Sequence, residues 1–387
     1  MSKVGPGSAR KSAKRAARAA AADGAALYEV AYDATRDVVA RVSARPAAAG
    51  PDRRALRFRR LLGIAVVLTL GLLMLGAWVR LTDAGLGCPD WPGCYGKLTP
   101  VQAGAQIAEA VAQQGGEHGP VSMGKAWREM GHRYVATLLG MLIVVIAVLA
   151  WCWRARLGQS PWLATVLVGV VILQGLFGKW TVTLLLKPAI VTGHLLGGLL
   201  VFVLLLWLWL RQLPPARYVD PEPAAGLTMP VRIGLLVVLA QIFLGGWTST
   251  NYAALACTDL PTCQGSWWPA VNFADGFHFL RELGMTGDGE LLPAQALTAI
   301  HLSHRIGALV ALAVVGWVGW RAMRAPGEER LGAALLAVLA LQWLLGLSNV
   351  WFSLPLPVAV AHNGGAAVLL ALLVVLHFRA ARARRMI

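Results

Sequence analysis

Long uncharged apolar runs, broken by arginine clusters or by Pro and Gly turns, make up most of the chain. Runs at 61–79, 134–153, 157–178, 188–210 and 233–257 contain no Asp, Glu, Lys or Arg. A further run, 306–320, reaches spanning length if its helix starts near Leu297. The stretch 331–378 is an uncharged run of 48 residues with Pro355 and Pro357 near its middle, enough for two helices and a turn. About 20 apolar residues cross the hydrocarbon layer as a helix. The pattern therefore predicts an all-α integral membrane protein with eight transmembrane helices. They fall at 61–80, from near Trp127, and at 161–181, 188–210, 231–250, 297–320, 331–353 and 357–378. Composition agrees, with 57% hydrophobic and 14% charged residues and a mean hydropathy of +0.60.

The helices come in two sets, because the chain repeats itself. LGAWVRLTDAGLGCPDWPGCYG at 75–96 aligns without a gap on LGGWTSTNYAALACTDLPTCQG at 244–265, an offset of 169. Gly76, Trp78, Cys88, Asp90, Pro92 and Cys94 recur as Gly245, Trp247, Cys257, Asp259, Pro261 and Cys263. His132–Arg133 recurs as His304–Arg305 at 172, and Gln174, Gly178 and His194 as Gln342, Gly346 and His362 at 168. Four spans per copy is an even number, so both copies cross the membrane in the same sense, a parallel repeat about an axis along the membrane normal. The expected organisation is a basic, cytoplasmic, disordered tail at 1–57 and two tandem four-helix bundles at 58–215 and 225–387.

Arginines set the orientation. Arg53, Arg54, Arg57, Arg59, Arg60, Arg154, Arg156, Arg211, Arg217, Arg232, Arg321, Arg324, Arg330, Arg379, Arg382, Arg384 and Arg385 all fall on one side. The other side holds only Lys97, Lys125, Arg128, Lys187 and Arg281. Both termini are expected in the cytoplasm, in a multi-pass protein of a bacterial inner membrane. The first 22 residues are basic and acid-free, as in a transit peptide, so a mitochondrial inner membrane is the alternative. This asymmetry and the basic tail account for the net charge of +16, and nucleic acid is not an expected partner. Within the tail, 28–42 has the pattern of a short amphipathic helix.

Both Cys-x5-Cys loops lie on the outer side, an oxidising compartment where disulfides persist. Cys257–Cys263 reads as a structural disulfide. Cys88–Cys94 reads the same way, with a redox dithiol as the alternative; neither loop holds four soft ligands for a structural metal. Cys152 is expected to be a small buried residue.

His132, His194, His304 and His362 all fall on even-numbered spans, five to eight residues in, or roughly 8–12 Å deep at about 1.5 Å per residue. Ionisable side chains in the membrane mark function, and two facing imidazoles supply both axial positions of a haem iron. Gly131, Gly193, Gly197, Gly198, Gly364 and Gly365 would let a flat ring approach. Arg133 and Arg305 are placed to meet propionates, or to snorkel outwards. The halves differ. Glu129 stands three residues before His132, on the same helix face, where His301 precedes His304; Arg80, Lys179 and Lys187 replace Ser249, Leu347 and Pro355. One site is thus expected to do chemistry and the other to hold a fixed electron-transfer cofactor, although Glu129 also reads as a surface partner of Arg128.

VRLTDAGLGCPDWPGCYG, EMGHR, TGHLLGG, IHLSHR and AHNGG together resemble the haem A synthase family over about residues 58–385. The resemblance implies an enzyme that oxidises the ring D methyl group of haem O to a formyl group by successive hydroxylations, giving haem A for cytochrome oxidase. It implies a haem b on His304 and His362 in the C-terminal half and the substrate haem O on His132 and His194, with Glu129 required for activity. His301 stands outside that four-histidine pattern, and His304 is the one aligned with the His-Arg motif. Implied partners are haem O synthase, cytochrome oxidase assembly factors, membrane lipid and a second copy in a homo-oligomer. The rival readings are a di-haem b electron carrier and a haem chaperone without catalysis.

Overall fold

The computed structural model describes residues 14–15, 52–116, 119–214 and 218–387; the stretch 28–42, expected to be disordered with a short amphipathic helix as the alternative, lies outside them. Nine helices carry the architecture: α1 (Arg53–Leu81), α2 (Gly104–Gln113), α3 (Met123–Cys152), α4 (Trp162–Thr183), α5 (Pro188–Arg211), α6 (Thr228–Thr250), α7 (Ala294–Met323), α8 (Glu329–Trp351) and α9 (Leu356–Ala383). All but α2 are long and apolar enough to cross a membrane, giving the eight spans that the sequence pattern predicts. Short helical turns at Arg154–Leu157, Glu222–Ala225, Ala253–Leu255 and Phe273–Gly276 and isolated β-bridges accompany them among the described residues.

Local chemistry explains the boundaries. Ser122 caps α3 by accepting a hydrogen bond from the Lys125 N–H at 3.2 Å, which satisfies one of the orphan donors of the first turn. Pro188 opens α5, where its missing N–H costs nothing. The hairpins α4–α5 and α8–α9 close through counterpart residues, Leu185–Leu186 and Ser353–Leu354, all with positive φ. In each, the last residue's N–H returns to a carbonyl five positions back, Leu186 to Thr181 at 2.8 Å and Leu354 to Asn349 at 2.7 Å.

The helix faces divide the packing. Phe58 and Leu62 of α1, Leu139 and Ile143 of α3, Leu167 of α4 and Leu205 and Leu208 of α5 form one buried cluster. A second joins Leu199, Phe202 and Leu206 of α5 to Val238, Val315, Leu335 and Leu373 on α6 to α9. Helix α5 is therefore apolar all round because it is packed on opposite sides, contributing Leu199, Phe202 and Leu206 to one cluster and Leu205 and Leu208 to the other. Outer faces remain apolar for lipid, as at Val67 and Ile172. Arg154, Arg321 and Arg324 sit over Trp151, Trp317 and Trp320 at the C-terminal ends of α3 and α7, an arginine and aromatic pairing suited to a membrane interface.

Cys152 corrects the sequence-based expectation. It is exposed and free, because the last turn of α3 presents it outwards beside the exposed Trp151.

Candidate functional site: paired histidines beneath two clasped loops

Each disulfide loop folds on its own carboxylate. Asp90 accepts from the N–H groups of Tyr95 (2.6 Å) and Gly96 (2.7 Å), and Asp259 accepts from those of Gln264 (2.6 Å) and Gly265 (3.0 Å). Gly96 and Gly265 take φ of 72° and 74°, a conformation that favours glycine. Disulfides Cys88–Cys94 and Cys257–Cys263 close the loops, each with a Cα–Cα distance of 4.8 Å. Thr262 and the backbone N–H groups hold the Asp259 carboxyl down at about 2. A carboxyl that is depressed on folding stabilises above its unfolded value of 3.8 and loses that contribution as pH falls towards 2. Asp259→Asn should therefore lower the thermal midpoint at pH 7, and a melting series should show the deficit closing between about pH 4 and pH 2.

A clasp joins each loop to its histidine helix. Arg133 donates to the carbonyls of Asp90 (2.9 Å) and Gly93 (2.5 Å) and to Glu129 (2.5 Å), while the other Glu129 oxygen accepts from the Cys88 N–H at 2.9 Å. Arg305 repeats this with the carbonyls of Asp259 (2.9 Å), Thr262 (2.9 Å) and Cys257 (2.7 Å), and His301 Nδ1 accepts from the Cys257 N–H at 3.2 Å. Glu129 and His301 thus occupy one structural position. Glu129 is only 5% exposed, so the surface reading is overturned. Its cation is Arg133; Arg128 instead bonds to the Gly124 carbonyl and lies over Trp78. The guanidinium groups of Arg133 and Arg305 are engaged with loop carbonyls.

Below the clasps lie the histidines. His132 on α3 and His194 on α5 face each other with ring centres 6.5 Å apart at 78°. They lie nine and six residues past Met123 and Pro188, and His304 and His362 lie ten and six past Ala294 and Leu356. Helices α3 and α7 start earlier than expected, so His132 and His304 sit deeper along their helices, at about 14–15 Å. Each ring packs against a glycine. A Cβ on Gly76 would stand 3.1 Å from His132 Cε1, on Gly178 3.6 Å from His194, on Gly245 3.1 Å from His304 and on Gly346 3.2 Å from His362. These glycines, on α1, α4, α6 and α8, are the ones that make room for the imidazoles. Those expected beside the ligands pack elsewhere: Gly193 on Phe177, Gly198 on Leu73, Gly364 on Met74, with Gly197 and Gly365 on Gln174 and Gln342. Gly131 has open space around it.

The donor set fits a haem iron. Nδ1 of His132, His194 and His362 is buried without a hydrogen-bond partner, a cost that a ligand engaging these rings would offset. Two metal–nitrogen bonds of about 2 Å, plus about 1 Å from each nitrogen to its ring centre, span about 6 Å, close to the His132–His194 spacing. Among the described residues no group of three or more His, Cys, Asp or Glu converges as a metal site; paired imidazoles suit an iron whose other four positions belong to a macrocycle. In the second half Gln241 Nε2 lies 3.0 Å from His304 Nδ1, and Gln342 donates to the His362 carbonyl at 2.9 Å. Leu72 stands where Gln241 would recur in the first half, an asymmetry that the repeat alignment could have revealed.

Of the charges peculiar to the first half, Arg80 and Lys187 turn towards the second, to the Ser249 carbonyl at 2.6 Å and Glu282 at 2.8 Å. Glu129 is left as the distinguishing carboxylate beside the first histidine pair.

Comparison with known proteins agrees with this architecture. Residues 59–374 match the family model described as cytochrome oxidase assembly protein. A haem A synthase from Shewanella oneidensis is 40% identical over 319 residues, 82% of this chain and 95% of that protein. Haem A synthases from Allorhizobium ampelinum and Rhodospirillum centenum are 28% and 30% identical over 84% of this chain and 92% and 90% of theirs. Eight apolar helices, two clasped disulfide loops, matched histidines set against glycines and these matches lead to one conclusion: the chain belongs to the cytochrome oxidase assembly protein family that includes the haem A synthases.

Proposed function

We propose that this protein is a haem A synthase, an oxidoreductase of the membrane that converts the ring D methyl group of haem O to a formyl group by successive hydroxylations. The observation that carries the reading is the pair of matched histidine sites of which only one has a carboxylate in its clasp. His132 and His194 hold the iron of the substrate haem O between α3 and α5. Gly76 and Gly178 leave room for those imidazoles, and the α1–α5 core keeps the helices apart by a fixed amount. Glu129, one turn before His132, offsets positive charge that develops on the reacting substrate and takes up protons released as the methyl group is oxidised. Its bond to the Cys88 N–H holds it against the disulfide loop.

The C-terminal pair, His304 and His362, is the site for a resident haem b. When bound, that group supplies an electron-transfer centre. Gln241 and Gln342 orient the two histidine helices there, and His301 takes part in the loop clasp, leaving His304 as the ligand of α7. Orientation follows the arginine distribution, with both termini cytoplasmic at a bacterial inner membrane. Partners on this reading are a haem O synthase that supplies the substrate and the assembly factors of cytochrome oxidase.

Co-expression with a haem O synthase, followed by chromatography of the extracted haems, tests the proposal. Haem A in the extract is the expected result. Two stable b-type haems with no haem A would favour a di-haem electron carrier, and reversible haem binding without oxidation would favour a chaperone.

A further inference from the structure

We infer that Arg80, Asp83 and Tyr252 form a tie that sets the spacing of the two histidine sites; the inference rests on those sites being the haem sites proposed above. Arg80, only 15% exposed, donates to the Ser249 carbonyl at 2.6 Å and lies 4.0 Å from the centre of the Tyr252 ring. The Tyr252 hydroxyl donates to Asp83 at 2.7 Å, and Arg80 reaches the same carboxylate at 3.4 Å.

Ser249 is the repeat counterpart of Arg80, and Tyr252 that of Asp83, both 169 residues on. Each residue therefore meets its own counterpart, which happens only where equivalent parts of the two halves come together. Asp83 and Tyr252 share an unusual backbone as well, with φ of 48° and 55°. At such a seam, identical charged residues would face each other and repel. Unlike residues, Arg against a carbonyl and Asp against a phenol, turn that contact into a cation–π pair and hydrogen bonds.

The location gives the tie its consequence. Arg80 follows Gly76 by four residues on α1, and Ser249 follows Gly245 by four on α6, one helical turn on the same face. Gly76 backs His132 and Gly245 backs His304. The tie thus joins the turns directly above the two glycines that seat one iron ligand in each half. A hydroxyl bond between Thr192 and Thr250 at 3.1 Å continues the same seam. Electron exchange between two iron centres depends steeply on their separation, so these are positioning residues: they hold the fixed centre at working distance from the reacting one.

The test compares Arg80→Gln and Tyr252→Phe with Ser249→Ala, a control because Ser249 contributes its main-chain carbonyl. Nitroxides at Leu98→Cys and Trp267→Cys, exposed counterparts on the two outer loops, report the separation of the halves by pulsed EPR in full-length protein carrying Cys152→Ser. Arg80→Gln should broaden the distance distribution and lower kcat about tenfold, with KM and the resident haem band unchanged; Tyr252→Phe should do so more weakly and remains informative if Arg80→Gln does not fold. Ser249→Ala should match the parent. A parent-like distance distribution in Arg80→Gln, or a rise in KM and a fall in kcat with loss of the haem band, overturns the inference. The EPR arm needs no turnover, so it reads the tie even if the protein makes no haem A.

Discussion

Protein carrying His304→Ala or His362→Ala is expected to insert in the membrane and fold, yet to lose its b-type absorption band. Haem content of the C-terminal half should fall by well over tenfold, since even residues supporting a metal ligand cost about 10–100-fold in affinity when removed. Folding should survive because each imidazole sits against glycine, at Gly245 and Gly346, and contributes little to the apolar cluster of Val238, Val315, Leu335 and Leu373. His301→Ala separates the two candidates on α7. It removes an acceptor for the Cys257 N–H and should loosen the loop while leaving the absorption band in place. A full-strength, six-coordinate spectrum from His304→Ala would move the ligand to His301 or end the paired-histidine reading.

Glu129→His should give a folded protein whose haem A output is lower by about a hundredfold, the range in which one electrostatic or proton-transfer group acts. The substitution builds in the first half the clasp that the second half already uses, since Glu129 and His301 accept from the counterpart N–H groups of Cys88 and Cys257. Removing one member of a buried ion pair ordinarily costs about 3–5 kcal/mol, because the other is left uncompensated. Here Arg305 shows the alternative, with its charge spread over three loop carbonyls beside a histidine. Arg133 has the carbonyls of Asp90 and Gly93 for the same purpose. Both disulfides and the resident haem should therefore persist, with haem O or a hydroxylated product accumulating; Glu129→Gln is the check if histidine fits poorly. Normal haem A output at equal protein level would reduce Glu129 to a clasp.

The eight helices and the repeat were legible in the sequence because the membrane simplifies the code. With no water to satisfy backbone groups, an apolar run of spanning length has one stable form, and the arginines, prolines and glycines that end such runs are visible as letters. The recurrence of four histidines at matched places was legible for a related reason, since polar rings stand out in such runs. What each neighbouring residue bonds to was not. Glu129 also read, as the alternative, as a surface partner of Arg128, because i and i−1 are adjacent in sequence but diverge around a helix, whereas Arg133 lies one turn on. The role of Arg133 and Arg305 as braces depended on where a loop 40 or more residues earlier comes to rest. Gly76 and Gly245 stood in the aligned repeat, yet only the packing of α1 on α3 and α6 on α7 showed that they seat imidazoles. By itself the sequence determined the spans, the duplication and the chemical groups available, all of which follow from local pattern and the cost of burying polar backbone in lipid. Tertiary structure alone decided the partners of the buried charges and the seam at Arg80, because those depend on distances between segments that no periodicity along one helix encodes.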